Sequence, residues 1–218
     1  MRELETAEAL PEVTVLMPVF NGARYVAEAI ESILAQTHPN FEFLIVDDGS
    51  TDATPEILAA YAARDARIRL VRHENKGQAA SLNRGLELAR HDWVAIIDHD
   101  DVSLPQRLEG QLALVVRQPT VVVVGSYVVE IDAMGLEMGR WRFGPTTRAE
   151  FWALRQKNER IYVIHPSVMM HRPTILKLGG YNPAFGASAD SELWSRVADD
   201  HLILTIPQEL VQYRLHQD

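Results

Sequence analysis

The sequence predicts an α/β fold in which a mostly parallel sheet carries helices on both faces and is followed by a small C-terminal annex. Short apolar runs alternate with segments whose apolar residues recur at helical spacing, an order typical of parallel sheets. Two of the apolar runs end in clusters of carboxylates. With 218 residues, 47% of them hydrophobic, the chain can bury one substantial core. We expect a loose polar tail over residues 1–12 and a single domain over residues 13–218.

Four predicted strands alternate with three predicted helices in the first half of the chain. The strands are expected at residues 13–17, 41–46, 68–71 and 93–97. Apolar residues at helical spacing predict the first helix; they are Val26, Ala29, Ile30, Ile33 and Leu34. Thr54 can cap the second helix, with Pro55 in its first turn. The third helix is expected over residues 78–89.

The second half of the chain has a less regular pattern. Ser103 and Pro105 are expected to open a helix, and a strand follows at residues 121–124. From about Tyr127 several glycines punctuate short segments, which is typical of a hairpin or a loop. A last helix is expected over residues 188–198. We interpret this half as an annex packed on the same sheet.

Composition and charge exclude several classes of protein. The net charge of −9 argues against a nucleic-acid-binding surface, which requires a basic patch. Without cysteine the chain has neither disulfides nor thiolate metal sites. We find no apolar run of about 20 residues and no signal-peptide pattern, so no transmembrane segment is expected. We expect a cytoplasmic protein and leave open a peripheral contact with the inner face of the membrane.

Carboxylates cluster where two of the predicted strands end, at Asp47-Asp48 and at Asp98-His99-Asp100-Asp101. In open α/β sheets, ligands bind outside the carboxyl ends of the strands. So many carboxylates at one edge need something to offset them. Hydrogen bonding to a base or a sugar is one possibility, and a hard divalent cation, which prefers oxygen ligands, is another. The Gly-rich loops that bind phosphates directly are absent. If a diphosphate binds, a metal ion held by carboxylates would therefore contribute much of its binding.

Each acid cluster also has a simpler interpretation. The segment from Asp47 to Ser50 fits a polar turn that caps a helix. The segment from Asp98 to Asp101 fits a loop with an N-cap, although four such positions in a row exceed what capping needs. His99 fits a spacer better than a ligand.

Taken in order, several motifs resemble those of family 2 glycosyltransferases, whose GT-A fold is Rossmann-like. The motifs are Met17-Pro-Val-Phe-Asn-Gly22, Val46-Asp-Asp-Gly-Ser-Thr-Asp52, Asn75-Lys-Gly77, Ile97-Asp-His-Asp-Asp101 with Pro105 and Arg107, His165-Pro-Ser167, Gly179-Gly-Tyr181, Ala189-Asp-Ser-Glu-Leu-Trp194 with Arg196, and Tyr213-Arg-Leu-His216. They span nearly the whole chain, and their joint order is specific where each alone is not. The resemblance implies a nucleotide-binding half over residues 13–125 and an acceptor and catalytic half over residues 126–218.

The resemblance implies a role for each matching position. The nucleotide of a sugar donor, expected to be UDP-linked, would contact Pro18, Val19, Phe20, Asn21, Asp47, Asp48, Arg69, Lys76 and Asp98. Within this set, Asp48 would accept the imide N–H of the base and Arg69 would lie near the base. The metal ion, Mg²⁺ or Mn²⁺, would be held by Asp100, with His216 as a further ligand, and Arg214 would lie near the diphosphate.

The resemblance also implies a catalytic base, Asp190, at the start of the last helix. The acid that usually precedes this base in the family is replaced by Ala189. A single carboxylate that takes the proton of an acceptor hydroxyl, opposite the leaving group, would invert the anomeric centre. The acceptor would be a hydroxyl group of a glycan, a lipid or a polysaccharide. His165 fits a core or turn residue better than a ligand, and Trp194 fits the core.

Two other functions compete with a sugar transfer. The segment from Ala95 to Val102 also fits the Asp-x-Asp pattern of haloacid-dehalogenase-type phosphatases. That pattern should follow the first strand rather than the fourth, and no convincing downstream lysine is present. The second alternative is a catalytically silent module that binds a nucleotide-sugar, which the alanine at position 189 would favour.

Overall fold

The computed structural model describes residues 10–215. Its strands and helices follow the predicted order from the first strand to the fourth. The strands are β1 (Val13–Val19), β2 (Phe41–Asp47), β3 (Ile68–Arg72), β4 (Trp93–Ile96), β5 (Val102–Ser103), β6 (Val121–Ile131), β7 (Glu137–Trp141), β8 (Met169–His171) and β9 (Leu202–Arg214). The helices are α1 (Val26–Leu34), α2 (Thr54–Ala62), α3 (Gln78–Leu88), α4 (Arg107–Arg117), α5 (Arg148–Gln156), α6 (Arg172–Lys177) and α7 (Ala189–Asp200). No helix within residues 10–215 is long and apolar enough to cross a membrane.

One sheet contains all the strands of the described residues. Its order is β3-β2-β1-β4-β8-β6-β9-β5, and β7 pairs with β6 outside this path. Within the run β3-β2-β1-β4, each strand is parallel to the next. Every residue of β1 and β2 is buried, which requires cover on both faces of the sheet. The predicted α/β fold is confirmed.

The second half of the chain contributes strands to this sheet. β8 pairs antiparallel with both β4 and β6, and β9 runs parallel to β6 along most of its length. β6 and β7 form the antiparallel hairpin that the glycine-rich pattern indicated. The expected boundary between residues 125 and 126 falls inside β6. The C-terminal part is therefore joined to the N-terminal half through backbone hydrogen bonds and does not merely pack against it.

The long strand β9 was not predicted from the sequence. Its apolar pattern is interrupted by Pro207 and Gln208, both exposed. In the pairing with β6, Ser126 lies opposite Ile206 and Tyr127 lies opposite Glu209, so the two intervening residues bulge out. A proline has no N–H to donate and is tolerated in a strand at such a bulge. The bulge lets one strand continue where the sequence pattern suggests two segments.

Two predicted helix starts are wrong by a few residues. Thr54 is the first residue of α2 rather than its cap, and the side chain of Asp52 accepts its N–H at 2.9 Å. Ser103 lies in the short strand β5, where it pairs with Val211 of β9, so α4 begins only at Arg107. The side chain of Asp52 sets the boundary of α2, whereas backbone pairing with the distant strand β9 sets that of α4, and local propensity does not encode such a pairing.

A buried arginine ties the middle of the sheet together. The guanidinium of Arg107 is fully buried and donates to the carbonyl groups of Ile96 and Val168. It also donates to Ser103 Oγ at 2.8 Å and to Gln111 Oε1 at 3.2 Å. Burial lowers the pKa of Arg107 to about 9, which leaves the side chain charged at neutral pH. A charge inside the fold is tolerated because its N–H groups find acceptors.

Two helical glycines allow the packing of α3 on β1 to be tested. A methyl group on Gly85 would lie 2.2 Å from Leu16 Cδ1, in the fully buried core, whereas one on Gly110 of α4 would meet nothing closer than 3.8 Å. We expect Gly110→Ala to raise the free energy of unfolding by about 0.5–1 kcal/mol, since alanine favours helix. We expect Gly85→Ala to lower it by about 1–3 kcal/mol through overpacking. Urea unfolding measures both, and a Gly85→Ala protein as stable as Gly110→Ala would contradict this packing.

Candidate functional site

Four loops meet where β1, β2, β3 and β4 end; they comprise residues 20–22, 48–52, 73–77 and 97–101, and we call them the carboxyl edge. Asn21 has a left-handed backbone, with φ of 51°, and links the first two loops. Its N–H donates to Ser50 Oγ at 3.0 Å, and its Oδ1 accepts the N–H of Thr51 at 2.8 Å. Phe20 and Asn21 therefore lie at the edge, with Phe20 44% exposed there, whereas Pro18 and Val19 are buried at the end of β1.

Asp47 and Asp48 are both buried and organise the loops around them. Asp47 accepts the N–H of Ser50 at 2.9 Å. The two carboxylate oxygens of Asp48 accept the backbone N–H groups of Lys76 at 2.8 Å and Gly77 at 2.9 Å. The polar-turn interpretation thus describes part of their function. Since a carboxylate offers about four lone-pair sites, these bonds leave Asp48 able to accept a further donor.

Arg69 does not lie at the carboxyl edge, contrary to the prediction. It faces Leu44 in the sheet, forms an ion pair with Glu42 at 2.9 Å and donates to the carbonyl of Leu88. The arginine at the edge is Arg72, three residues later on the same strand. It contacts Asp47 at 3.2 Å, donates to the carbonyl of Ser50 at 2.7 Å, and its side chain is 58% exposed. Strand register separates these two arginines, and a sequence motif does not reveal it.

The cluster from Asp98 to Asp101 contains side chains in different environments. Asp98 is partly exposed, and its Oδ1 accepts a hydrogen bond from Gln78 Nε2 at 3.0 Å. Burial raises the pKa of Asp98, but the neighbouring histidines and Gln78 together outweigh it, so the pKa lies below its ordinary value. His99 packs on Gly22, where a Cβ atom would come within 2.4 Å of the imidazole. His99 is therefore a spacer that holds two loops together, as expected.

His165 lies between Asp98 and the buried Tyr181. Its Nδ1 is 3.9 Å from Asp98 Oδ2, and its Nε2 is 3.0 Å from the hydroxyl of Tyr181. Burial, with the charges of Asp190 and Asp98, raises the pKa of Tyr181 well above its ordinary value. The phenol thus stays protonated, and the imidazole lies between it and Asp98. His165 begins the 3₁₀ turn His165–Ser167, as a turn residue would, but it also contacts the site.

Arg214 does not face a ligand site, contrary to the prediction. Its side chain is only 2% exposed and pairs with Glu28 at 2.6 Å. It also donates to the carbonyls of Asp100 at 2.8 Å and Asp132 at 3.2 Å. These partners engage the guanidinium within the protein. Its backbone N–H donates to Asp101 Oδ1 at 2.7 Å, so this residue anchors the end of β9 to the acid cluster.

Asp101 is buried, and its carboxylate holds the end of β9 in place. Burial, with the charges of Asp98 and Asp100, raises its pKa well above the ordinary value. Its Oδ2 is buried without a hydrogen-bond partner among the described residues. A raised pKa favours the neutral form, which lowers the cost of burying that oxygen. Asp98 and Asp100 remain as the partly exposed carboxylates of the cluster.

The carboxylates at the end of β4 suit a divalent cation whose remaining ligands come from a bound molecule. Within residues 10–215 no three His, Asp or Glu side chains converge to hold a metal ion by themselves. Mg²⁺ is commonly bound by one or two carboxylates together with phosphate oxygens. Asp98 and Asp100 supply that number of partly exposed carboxylates at one strand end. His216, predicted as a further ligand, lies outside the described residues.

A cavity of about 370 Å³ joins the end of β4 to the start of α7. Asp98 lines it from one side and Asp190 from the other. Asp190 is the second residue of α7, as predicted, and its Oδ1 accepts the N–H of Ser191 at 2.7 Å. The remaining lining residues are Gln78, Ala79, Leu82, Trp141, Phe143, Tyr162, Val163, Ile164, His165, Pro166, Tyr181, Gly186, Ala187, Ala189 and Tyr213. The fold thus brings together two carboxylates that lie far apart in the sequence.

No role in the site was predicted for Gln78, Tyr181 or the aromatic residues of this cavity, although Tyr181 and Tyr213 belong to the motifs. Gln78 begins α3, and nothing local marks it as a partner of Asp98. Trp194 was predicted to belong to the core, and it is 2% exposed. Ala189, at the position of the usual acid, is buried and lines the cavity.

Known proteins with related sequences are glycosyltransferases. The model of the family "Glycosyl transferase family 2" matches residues 14–177. The putative glycosyltransferase EpsE of Bacillus subtilis is 42% identical over 132 residues, which cover 60% of this chain and 48% of EpsE. An uncharacterized glycosyltransferase of Methanocaldococcus jannaschii is 32% identical over 210 residues, which cover 94% of this chain and 71% of that protein. The matched part is therefore about half of the length of EpsE.

Solved structures share the fold. TarS of S. aureus, residues 1–349 in complex with UDP-GlcNAc, has a TM-score of 0.78 at 18% identity, over 95% of this chain and 59% of that chain. The mannosyltransferase PcManGT from Pyrobaculum calidifontis, in complex with GDP-Man and Mn²⁺, has a TM-score of 0.73 at 24% identity, over 94% and 57%. Neither the family match nor these structures support the phosphatase alternative. The chain has the GT-A fold that its motifs predicted, and it belongs to glycosyl transferase family 2.

Proposed function

We propose that the protein transfers a sugar from a nucleoside diphosphate to a hydroxyl group of an acceptor, with inversion at the anomeric carbon. The observation that carries this proposal is the shared cavity of Asp98 and Asp190. Asp98 belongs to the carboxyl edge, where α/β sheets bind ligands, and Asp190 faces the same space from α7. A donor held at the edge would present its sugar toward Asp190.

We propose that the carboxyl edge binds the nucleotide, with a UDP-linked sugar as the expected donor. The related structures support a nucleotide-sugar, since TarS was solved with UDP-GlcNAc and PcManGT with GDP-Man. Phe20 and Asn21 form one side of the edge, and the loop containing Lys76 is fixed opposite by Asp48. The remaining lone pairs of Asp48 suit the imide N–H of a uracil base.

The diphosphate would be bound through a divalent cation held by Asp100, with Asp98 beside it. The Mn²⁺ in the PcManGT structure supports this choice. Such a cation, when bound, supplies positive charge that stabilises the departing nucleoside diphosphate. The neighbouring Asp98 is oriented by Gln78 and His165, and its lowered pKa keeps it ionised at neutral pH.

Asp190 would act as the base. As the new bond forms between the acceptor oxygen and the anomeric carbon, the bond from that carbon to the diphosphate breaks, and the hydroxyl proton passes to the Asp190 carboxylate. Attack opposite the leaving group inverts the configuration. The hydrogen bond from the Ser191 N–H fixes the orientation of this carboxylate.

Nucleotide binding should depend on the cation. We expect UDP or GDP at about 100 times its Kd to stabilise the protein by about 2.7 kcal/mol when Mn²⁺ is present. For a domain of this size, that corresponds to a rise in Tm of roughly 5–10 °C. The rise should shrink in EDTA and in Asp100→Ala, measured by thermal shift. Asp92→Asn, which changes an exposed carboxylate at the opposite end of β4, is the matched control and should behave like wild type. An equal rise with and without Mn²⁺ would remove the cation from the proposal.

Replacement of the base should affect turnover far more than donor binding. We expect Asp190→Asn to cut kcat by roughly 10²-fold or more, a loss of about 2.7 kcal/mol of transition-state stabilisation. The Kd of the nucleotide-sugar should barely change, because Asp190 is expected to contact the acceptor. The readouts are release of nucleoside diphosphate and calorimetric donor titration.

The matched control for this variant is Asp200→Asn, which removes an exposed carboxylate from the other end of α7. It should leave kcat unchanged. If Asp190 only stabilises its helix, Asp190→Asn will cost well under about 1 kcal/mol of stability and transfer sugar at a near-normal rate. A wild-type protein that binds the donor but releases no nucleoside diphosphate would instead favour the catalytically silent module.

A further inference from the structure

A second cavity of about 530 Å³ adjoins the cavity that contains Asp190. Tyr162 and Val163 line both of them. The second cavity lies between the segment of residues 155–163 and α7, and it reaches Ala198 two turns further along that helix. We call the two adjoining cavities the groove; it extends from the proposed catalytic base along α7.

Three aromatic side chains along this groove are exposed. Phe143 lines the first cavity and is 51% exposed, and Phe185 lines the second and is 51% exposed. Tyr162, at the junction, is 59% exposed. Large apolar side chains that remain exposed beside a cavity commonly mark a ligand-binding surface. Flat aromatic faces suit the apolar C–H face of a sugar ring, and a tyrosine adds a polar hydroxyl.

Polar groups accompany these rings in the second cavity. The indole of Trp194 lines it, and its Nε1 is buried without a hydrogen-bond partner among the described residues. A buried N–H of this kind normally has an acceptor. Further polar groups are contributed by Asn158, Arg160, Ser188, Ser191 and Ser195. A lipid tail would leave these groups unpaired, whereas the hydroxyl groups of a sugar can pair with them.

We propose that the groove is an acceptor site for a glycan of at least two sugar units. The first unit lies beside Asp190, and the next lies beyond Tyr162 in the second cavity, in contact with Phe185 and the polar groups of α7. This inference rests on the proposed function and adds the class and the length of its acceptor. Tyr162 would separate the two sugar sites and contact both units.

The test compares acceptors that differ only in length. Three series of sugars are titrated by saturation-transfer NMR in the presence of UDP and Mn²⁺. They run from glucose through maltose to maltotriose, from N-acetylglucosamine to chitotriose, and from galactose to galactotriose. We expect the disaccharide of at least one series to bind at least tenfold more tightly than its monosaccharide. Tyr162→Ala and Ser195→Trp, which fills the second cavity, should abolish that gain. Trp152→Ala, an aromatic residue of α5 that is 41% exposed and lines neither cavity, is the matched control and should keep it.

The outcomes separate this inference from the proposed function. A protein that binds UDP but shows equal affinity for one and two sugar units, or no affinity for any of these glycans, overturns the groove assignment alone. The same holds if octyl phosphate binds more tightly than every glycan, or if the gain survives in Ser195→Trp. A wild-type protein that binds neither UDP nor GDP would instead refute the proposed function.

Discussion

Three carboxylates, Asp98, Asp100 and Asp101, lie within a stretch of four residues just after β4. Like charges this close disfavour their ionised forms unless cations or hydrogen bonds offset them. Arg107 is buried beneath the cluster; burial lowers its pKa, and the charge of Asp98 partly offsets that lowering. Arg214 closes the cluster from the end of β9 and binds the backbone of Asp100 and the side chain of Asp101. The interactions of these two arginines with the acid cluster join β4, α4 and β9, so the site and the fold depend on the same charged residues.

The carboxylates consequently divide into two groups. Asp47, Asp48 and Asp101 are buried and hold loops or strand ends through backbone N–H groups. Asp98 and Asp190 line a cavity. The second group can face a ligand because the first has already fixed the loops around it. The insertion of β8 and β9 into the sheet brings α7, and with it Asp190, to the same cavity as the end of β4.

The sequence predicted the elements whose signal is local. The apolar runs of β1 to β4, the helical spacing in α1 and the place of Asp190 in the first turn of α7 all follow from short-range patterns. It did not predict β9, because Pro207 interrupts the pattern and the bulge that tolerates it forms against β6. Motif matching assigned Arg69 and Arg214 to the ligand, whereas strand register and burial direct them to Glu42 and Glu28. The contacts of Gln78 and His165 with Asp98 join segments far apart in the chain, which no local pattern encodes.

The proposal that the carboxyl edge binds a nucleoside diphosphate through a divalent cation can be tested most directly by crystallography. Crystals grown with UDP and Mn²⁺ would be measured at the manganese absorption edge. We predict an anomalous peak within coordination distance of the Asp100 carboxylate and in contact with the diphosphate. A nucleotide bound at the edge without such a peak, or a peak remote from Asp100, would contradict the proposal.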